Sequence, residues 1–245
     1  MVLPAFFFLF GLIFGSFGSV LITRVPRNKS IAGRSMCPQC GSTLRATSLI
    51  PIVSFCMSRG RCRECHTSIS MLYPLVELVS GLLFLLAFLL NRDIPSSVFM
   101  AMALWLLLVI SVIDIRTQTI SDVLNIPLCI FGALYNFEIG SFFIGGAMLG
   151  VGFFGAMWLV SRGKFIGSGD IILAAGVGFL VGSWQMMLAC LMVTYIIGAL
   201  IASVLLVSGK IHRKSTIPFG QFLALGALFV VVFKDKLSVV LSVYF

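Results

Sequence analysis

Two acidic residues in apolar surroundings are the first side chains of this sequence that could carry chemistry. Asp170 follows Gly167 and Gly169 at the edge of a strongly apolar run, and Asp114 closes another such run. A charge at the centre of a membrane helix costs about 2.5–3.5 kcal/mol or more, so such acids usually face protein or water and have a function. Two carboxylates that share a site hold one proton between them, and one can act as base while the other acts as acid. Such a pair could hydrolyse a peptide bond.

A structural interpretation of the same acids is equally compatible with their spacing. In it, Asp114 and Asp170 are interfacial acids that offset Arg116 and Lys164. The pattern Gly-x-Gly-Asp covers only four residues and does not decide between the two interpretations. Asp122 is a third acid nearby, but it lies in a polar turn where it is expected to cap the next helix.

Four cysteines form the second candidate centre. Cys37 and Cys40 make one Cys-x-x-Cys pair, and Cys62 and Cys65 make another, with 21 residues between the pairs. Two such pairs can close a tetrahedral four-thiolate shell around Zn²⁺, and this shell leaves no open position, so the metal would be structural. Disulfides are disfavoured in a reducing compartment, and a thioredoxin-like motif would need a βαβ setting. Redox chemistry or labile thiols are the alternative to the zinc site.

The elements that must position these residues are apolar helices. The chain of 245 residues is 60% hydrophobic and 10% charged, with a mean hydropathy of +1.14, whereas soluble domains carry about 25% charged residues. Apolar runs occur at 4–23, 73–90, 97–113, 123–137, 141–160, 171–183, 186–207 and 218–233. The sequence therefore predicts an all-α polytopic membrane protein with about eight transmembrane helices, in contact with the lipid bilayer.

The basic residues predict the orientation of these spans. Eight of the 17 Lys and Arg residues lie between Arg24 and Arg63, within the one long polar segment. This clustering is typical of a cytosolic loop, and no nucleic-acid module accompanies the net charge of +9. With this loop inside, Arg116, Arg162, Lys164, Lys210, Arg213 and Lys214 also lie inside, and Arg92, Lys234 and Lys236 lie outside. Because the first apolar run lacks a preceding basic region, we expect it to be retained as a span.

These observations predict three parts of the chain. Residues 1–23 form the first transmembrane span, residues 24–72 form a cytosolic loop with the four-cysteine zinc site, and residues 73–245 form a multi-span domain that carries the two acids. The acids are then expected at the same cytosolic membrane edge, on spans that enter from opposite directions.

The order of the motifs resembles that of the bacterial prepilin peptidases. The chain contains GSFGSVLITRVPR, CPQC and CREC, YPLVELVSG, an aspartate before an ISD turn, GSGD, and IPFGQFLALG, from Gly15 to about Gly226. These enzymes are type IV leader peptidases, membrane aspartyl proteases of the Gly-x-Gly-Asp class. The resemblance implies that Asp114 and Asp170 are the catalytic aspartates and that Cys37, Cys40, Cys62 and Cys65 are the metal ligands.

The resemblance also implies an activity. Members of the family cleave the basic leader from type IV prepilins or pseudopilins, after a glycine, on the cytosolic side of the bacterial inner membrane. Bifunctional members then methylate the new N-terminal residue with S-adenosylmethionine, and the cysteine loop favours this type. Glu77, at the start of the second span, is a weak candidate for holding the methyl donor or the substrate amine; pairing with an arginine of the loop is its structural alternative.

Two other classes of protein remain possible on the sequence. A transporter or proton-relay protein could use two intramembrane acids, although transporters tend to place them near the midplane and to show repeat symmetry. A non-catalytic assembly scaffold could use the cysteine loop for docking. The pilus, secretion or competence system that supplies the substrate is not encoded in these residues.

Overall fold

A computed structural model gives the fold of the chain. It describes residues 2–91, 93–140, 142–164, 166–210, 212 and 217–244, with the side chains of residues 46 and 241–244 left out. Arg92, Arg213 and Lys214, which contribute to the predicted charge distribution, lie outside the described residues.

The described residues form α-helices and no named β-strand. The helices are α1 (Val2–Arg24), α2 (Val53–Met57), α3 (Leu72–Leu90), α4 (Ile94–Thr117), α5 (Asp122–Glu138), α6 (Gly145–Ser161), α7 (Ser168–Val181), α8 (Trp184–Val207), α9 (Gly220–Val232) and α10 (Lys234–Tyr244). Two short 3-10 helices lie at Val25–Arg27 and Ala46–Leu49. The predicted all-α membrane fold is confirmed.

Helix length limits the number of helices that can span a bilayer. Four helices (α1, α3, α4 and α8) are long and apolar enough to cross a bilayer, whereas α6, α7 and α9 are shorter apolar helices. A span needs about 20 residues, and α7 has 14 and α9 has 13. The predicted total of eight spans is therefore not confirmed.

The chain divides into two compact units, Met1–Ala101 and Met102–Phe245. In the first unit, α1 and α3 pack as an antiparallel pair. A Cβ atom on Gly11 would lie 2.7 Å from the Ser80 carbonyl oxygen, and one on Gly15 would lie 2.5 Å from the Glu77 Cα atom. Only glycine permits this close approach, so the two helices are fixed in register by backbone contact.

The second unit is built around α7. Helices α5 and α7 run side by side in the same direction, because Gly132 near the end of α5 approaches the Gly176 carbonyl in the second half of α7. Helix α6 lies antiparallel to α7, and a Cβ atom on its Gly150 would be 2.8 Å from the Ala174 carbonyl. The interior positions of α7 are fully buried, as Leu173 and Val177 illustrate. Small residues thus allow α7 to be enclosed, and its N-terminus is held in place by its neighbours.

The three-part domain division of the sequence stays a prediction. The boundary between the two compact units falls within α4. These units are defined by packing, whereas the three predicted parts were defined by their expected roles.

Candidate active site and four-cysteine loop

Asp114 lies near the C-terminal end of α4 and is 4% exposed. Its Oδ2 atom accepts a hydrogen bond of 2.8 Å from the backbone N–H of Gly220, the first residue of α9. A Cβ atom on Gly220 would lie 3.0 Å from Oδ2 and 3.4 Å from Leu173 Cδ2. Glycine is therefore needed at this position for the carboxylate to reach the start of α9.

Asp170 lies in the first turn of α7, not before the helix as the apolar run starting at residue 171 suggested. Its Oδ2 atom accepts a hydrogen bond of 3.0 Å from the Gly167 N–H. The neighbouring Gly169 packs against Ile120, since a Cβ atom there would be 3.1 Å from the Ile120 Cβ atom. The glycines of this segment thus serve a tight N-terminal turn that rests against the link between α4 and α5.

Asp170 lies at the start of α7, and Asp114 bonds to the start of α9. Leu173, one turn after Asp170, contacts the position of Gly220 that also contacts Asp114. The starts of α7 and α9 carry unpaired N–H groups and a partial positive charge, which favours carboxylates. The arrangement places two acids at one polar end of an apolar helix cluster.

The structural interpretation pairs Asp114 and Asp170 with Arg116 and Lys164, but the described residues give the acids other partners. In the described part of the chain, Asp114 and Asp170 bond to backbone N–H groups, and Arg116 and Lys164 are exposed. Asp122 is also exposed and is the first residue of α5. The N-cap position predicted for Asp122 is occupied by Ser121.

Sequence reasoning missed two contributors to this region. Gly220 was noticed only as part of a motif, and its contact with Asp114 spans 106 positions of the chain. Asn125 was not singled out, yet its side-chain Nδ2 donates a hydrogen bond of 2.9 Å to the Gly169 carbonyl. An amide within the apolar run of α5, which also contains Asn136, was the signal that could have found it.

The four cysteines fold as two copies of one knuckle. In the first copy the Cys37 N–H bonds to the Ser42 carbonyl, and in the second the Cys62 N–H bonds to the Thr67 carbonyl, both at 2.9 Å. Isolated bridges close the copies at Met36–Thr43 and Arg61–Ser68. Gly41 and His66 occupy equivalent positions, with φ values of 69° and 56°. The sequence analysis did not detect this internal repeat.

The thiols are arranged as a four-coordinate metal shell requires. The Sγ atoms of Cys37, Cys40, Cys62 and Cys65 all lie within 4.8 Å of one another. The Sγ atoms of Cys37 and Cys65 are 3.8 Å apart, which is about the edge of a tetrahedron with metal–sulfur bonds of about 2.3 Å. All four cysteines are free thiols. The residues present therefore fit a thiolate-bound metal.

Hydrogen bonds to the thiols support the thiolate form of Cys40 and Cys62. The Ser42 hydroxyl lies 3.0 Å from Cys40 Sγ and lowers the pKa of that thiol to about 6. At the equivalent position of the second knuckle, the Cys65 thiol donates a hydrogen bond of 3.3 Å to the Thr67 hydroxyl. Backbone N–H groups, first that of Cys65, also lower the pKa of Cys62. Metals bind thiolates rather than thiols, so these contacts favour loading.

Glu77 lines a cavity of about 650 Å³ within the first unit. It is 8% exposed, and its Oε2 atom accepts a hydrogen bond of 2.7 Å from the backbone N–H of Ile52 in the cysteine loop. The partner that the structure gives Glu77 is thus a backbone group rather than a loop arginine. The hydroxyl of Ser19, which also lines the cavity, has no hydrogen-bond partner among the described residues.

The bond to Glu77 secures an unusual turn. Ile52 has φ 60° and ψ −50°, and the N–H of Val53 bonds back to the Pro51 carbonyl at 2.5 Å, which makes a γ-turn of the strained type. A β-branched residue at positive φ is an outlier that its surroundings must hold in place. Glu77 supplies that restraint and so ties the cysteine loop to α3.

The fold and these two centres define a class: a helical membrane protein with paired acids at helix ends and a four-thiolate loop. The bacterial peptidase A24 N-terminal domain matches residues 9–90, and the type IV leader peptidase family matches residues 100–203. The chain belongs to the type IV leader peptidase family. No solved structure gives a significant match.

Curated relatives of the chain share one printed name, prepilin leader peptidase/N-methyltransferase. The protein of Bacillus subtilis (strain 168) is 33% identical over 240 residues, which cover 94% of both chains. That of Burkholderia pseudomallei (strain 1026b) is 32% identical over 257 residues, covering 91% of this chain and 82% of the relative. That of Aeromonas salmonicida (strain A449) is 28% identical over 265 residues, covering 94% and 91%. The similarity therefore extends over both compact units.

Proposed function

We propose that this protein cleaves the leader peptide from type IV prepilins or pseudopilins and then methylates the new N-terminal residue. The names of the relatives supply the two activities, and the match over nearly the whole chain carries them here. The two activities need different groups, a pair of carboxylates for hydrolysis and a methyl-donor site for transfer.

Asp114 and Asp170 are the proposed catalytic pair. One carboxylate takes a proton from a water molecule as that water attacks the scissile carbonyl, and the other, protonated, acid gives its proton to the departing amine. The observation that carries this role is the bond from the Gly220 N–H at the start of α9 to Asp114, at a position that also contacts Leu173, one turn after Asp170. In the part of the chain that the structure describes, both carboxylates bond to backbone N–H groups rather than to cations, which is compatible with acid–base chemistry.

The proposed site faces the cytosol of a bacterium, at the inner membrane. The concentration of basic residues between Arg24 and Arg63 supports this orientation, because cytosolic loops are enriched in Lys and Arg. A short basic leader would reach the acids from the same side.

The cysteine loop is proposed to hold structural zinc through Cys37, Cys40, Cys62 and Cys65. The cavity beside Glu77 is the proposed place for S-adenosylmethionine or for the substrate amine, since it pairs a buried carboxylate with the free Ser19 hydroxyl. The contact between Glu77 and Ile52 supports a link between zinc loading and methylation.

A transporter or proton relay has less support. Transporters place their acids near the bilayer midplane in broken helices, whereas Asp114 and Asp170 lie at the ends of α4 and α7. A scaffold would not need a buried Asp114 and a half-buried Asp170 at neighbouring helix ends.

Cleavage of a synthetic prepilin by the purified protein in lipid nanodiscs tests the catalytic pair. Asp114→Asn and Asp170→Asn should each lower kcat by about 10²–10⁴-fold, because a positioned acid or base contributes about that much. Asp122→Asn is the matched control, an exposed acid in the neighbouring turn, and should retain cleavage. Normal cleavage by Asp170→Asn would refute the mechanism.

Methylation is tested separately on a peptide that already lacks its leader. The mass of the peptide, with and without S-adenosylmethionine, reports transfer of a methyl group. Glu77→Gln should lower this transfer at least tenfold and leave cleavage unchanged, while Glu138→Gln, an exposed glutamate of α5, changes neither. A Glu77→Gln protein that methylates normally would remove Glu77 from the donor or amine site.

A further inference from the structure

Asn125 is a buried amide that the two proposed activities do not use. It lies near the start of α5 and has no exposed surface. Its Nδ2 atom donates a hydrogen bond of 2.9 Å to the carbonyl oxygen of Gly169, 44 positions away. This carbonyl belongs to the peptide group that joins Gly169 to Asp170. Asn125 therefore holds the backbone plane from which Asp170 projects.

The packing of α5 against α7 explains how Asn125 reaches this peptide. The helices run in the same direction, and successive turns of α5 meet successive turns of α7. One turn after Asn125, the Cys129 thiol approaches the Ile172 carbonyl at 3.5 Å. Further along, Gly132 meets Gly176 by close backbone approach. The amide is thus carried to the first turn of α7 by a rigid helix pair.

A second contact limits Gly169 from another side. Ile120, in the link between α4 and α5, would lie 3.1 Å from a Cβ atom on Gly169. The Gly169 peptide is therefore held by van der Waals contact with Ile120 and by a hydrogen bond from Asn125. Together these contacts leave the peptide little freedom to rotate, and the direction of the Asp170 side chain depends on that rotation.

The Oδ1 atom of the Asn125 amide lowers the stability of the folded protein. Asn125 Oδ1 is buried and has no hydrogen-bond partner in the described part of the chain. The orientation of the amide is fixed, because a carbonyl oxygen can only accept and so must face Nδ2. An unsatisfied buried acceptor is destabilising. A leucine, which has the same branched heavy-atom skeleton, would avoid this cost, so burial alone does not favour asparagine here.

We propose that Asn125 is a positioning residue for cleavage: its amide fixes the Gly169–Asp170 peptide and thereby the direction of the Asp170 carboxylate. The inference rests on the proposed catalytic role of Asp170. The residue acts through the backbone and does not touch the substrate. Its loss should therefore lower the rate of the chemical step and leave substrate binding unchanged.

Two variants that keep the branched side-chain skeleton test this role in the full-length protein in nanodiscs. Asn125→Leu removes the donor and the unsatisfied acceptor together, and Asn125→Asp keeps the shape but places an oxygen where the donor was. Each should lower kcat for prepilin cleavage about tenfold or more, with KM changed less than about twofold, because positioning errors act on the transition state. The Tm of Asn125→Leu should equal or exceed that of the parent protein.

The control is Cys129→Ala, which removes the neighbouring contact to α7 and should leave kcat and KM unchanged. A folded Asn125→Leu protein with parental kcat would overturn the inference, and so would a fall in kcat matched by an equal rise in KM. Asp170→Asn, measured alongside, distinguishes failure of the positioning role from failure of the proposed function. If Asp170→Asn is inactive and both Asn125 variants are fully active, the positioning role fails and the catalytic pair stands. If Asp170→Asn is active, the proposed function itself fails.

Discussion

The two compact units place their chemistry-bearing residues by different means. In the first unit the thiols lie in a polar loop whose short turns repeat a single pattern, at Cys37–Ser42 and again at Cys62–Thr67. In the second unit the acids lie at the ends of apolar helices, and partners more than forty positions away hold their surroundings. The proposed zinc would order a loop that has little apolar core, whereas the helix cluster depends on close packing. The units should therefore respond to different perturbations.

Loss of one thiolate should have the largest effect that separates the two units. Cys40→Ser should weaken zinc binding at least about 100-fold, because a four-ligand shell supplies much of the folding free energy of a small loop. Cleavage of prepilin should change less than about twofold, and methylation should fall with zinc content. Metal analysis of the purified protein and both activity assays measure these effects.

Cys56→Ser is the matched control for this experiment, since Cys56 is an exposed cysteine of the same loop and lies outside the cluster. It should keep its zinc and both activities. Cleavage that falls in parallel with zinc content in Cys40→Ser would show that the second unit depends on the metal, and the contrast between the units would be lost.

An added side chain on α6 should affect the second unit and leave the first unit unchanged. Gly150→Val would bring a Cβ atom to 2.8 Å from the Ala174 carbonyl of α7, and such overpacking costs about 1–3 kcal/mol. The second unit should lose stability, and the zinc content of the first should stay unchanged. Gly152→Val lies on the same helix with no heavy atom within 4 Å of its added Cβ atom. Thermal unfolding should show a lower Tm for Gly150→Val alone, and equal Tm values would contradict the packing argument.

Changes at Gly41 and His66, the equivalent positions of the two knuckles, should have the smallest effect, which is on the rate of zinc loss. His66 has φ 56°, in the left-handed region that favours glycine. His66→Gly should relieve about 0.5–1 kcal/mol of backbone strain and slow the loss of zinc to a chelator about two- to fivefold. Gly41→His, the reverse change in the first knuckle, should hasten this loss. If both variants release zinc at the parental rate, the two knuckles are not limited by turn geometry.

Local patterns in the sequence predicted much of this molecule. The apolar runs anticipated the helices, because burial or lipid contact over a whole segment leaves a signal in composition. The Cys-x-x-Cys spacing anticipated the thiol cluster, because each knuckle is a local turn. The isolated acids Asp114 and Asp170 were found because an acid in an apolar run is costly.

The contacts that complete the acid site had no local signal. The bond from the Gly220 N–H to Asp114 depends on how α4 and α9 are placed, and the bond from Asn125 to Gly169 depends on the register of α5 and α7. The positive φ of Ile52 could not be predicted either, since a β-branched residue is a poor choice for that conformation and the restraint from Glu77 comes from another helix. Such features arise from tertiary packing and require the structure.

The short length of α7 and α9 has a consequence for the membrane. Helices of 14 and 13 residues rise only about 20 Å, less than the hydrocarbon thickness of about 30 Å. Both begin beside the aspartates, so for either helix to cross a bilayer the lipid would have to thin there or water would have to enter a recess; bilayer thinning costs a fraction of a kcal/mol per Å of mismatch. A substrate whose cleaved bond lies where its polar leader meets an apolar segment could then be cut without being lifted far from the bilayer. Bilayer thickness therefore becomes a determinant of how readily this enzyme reaches its substrate.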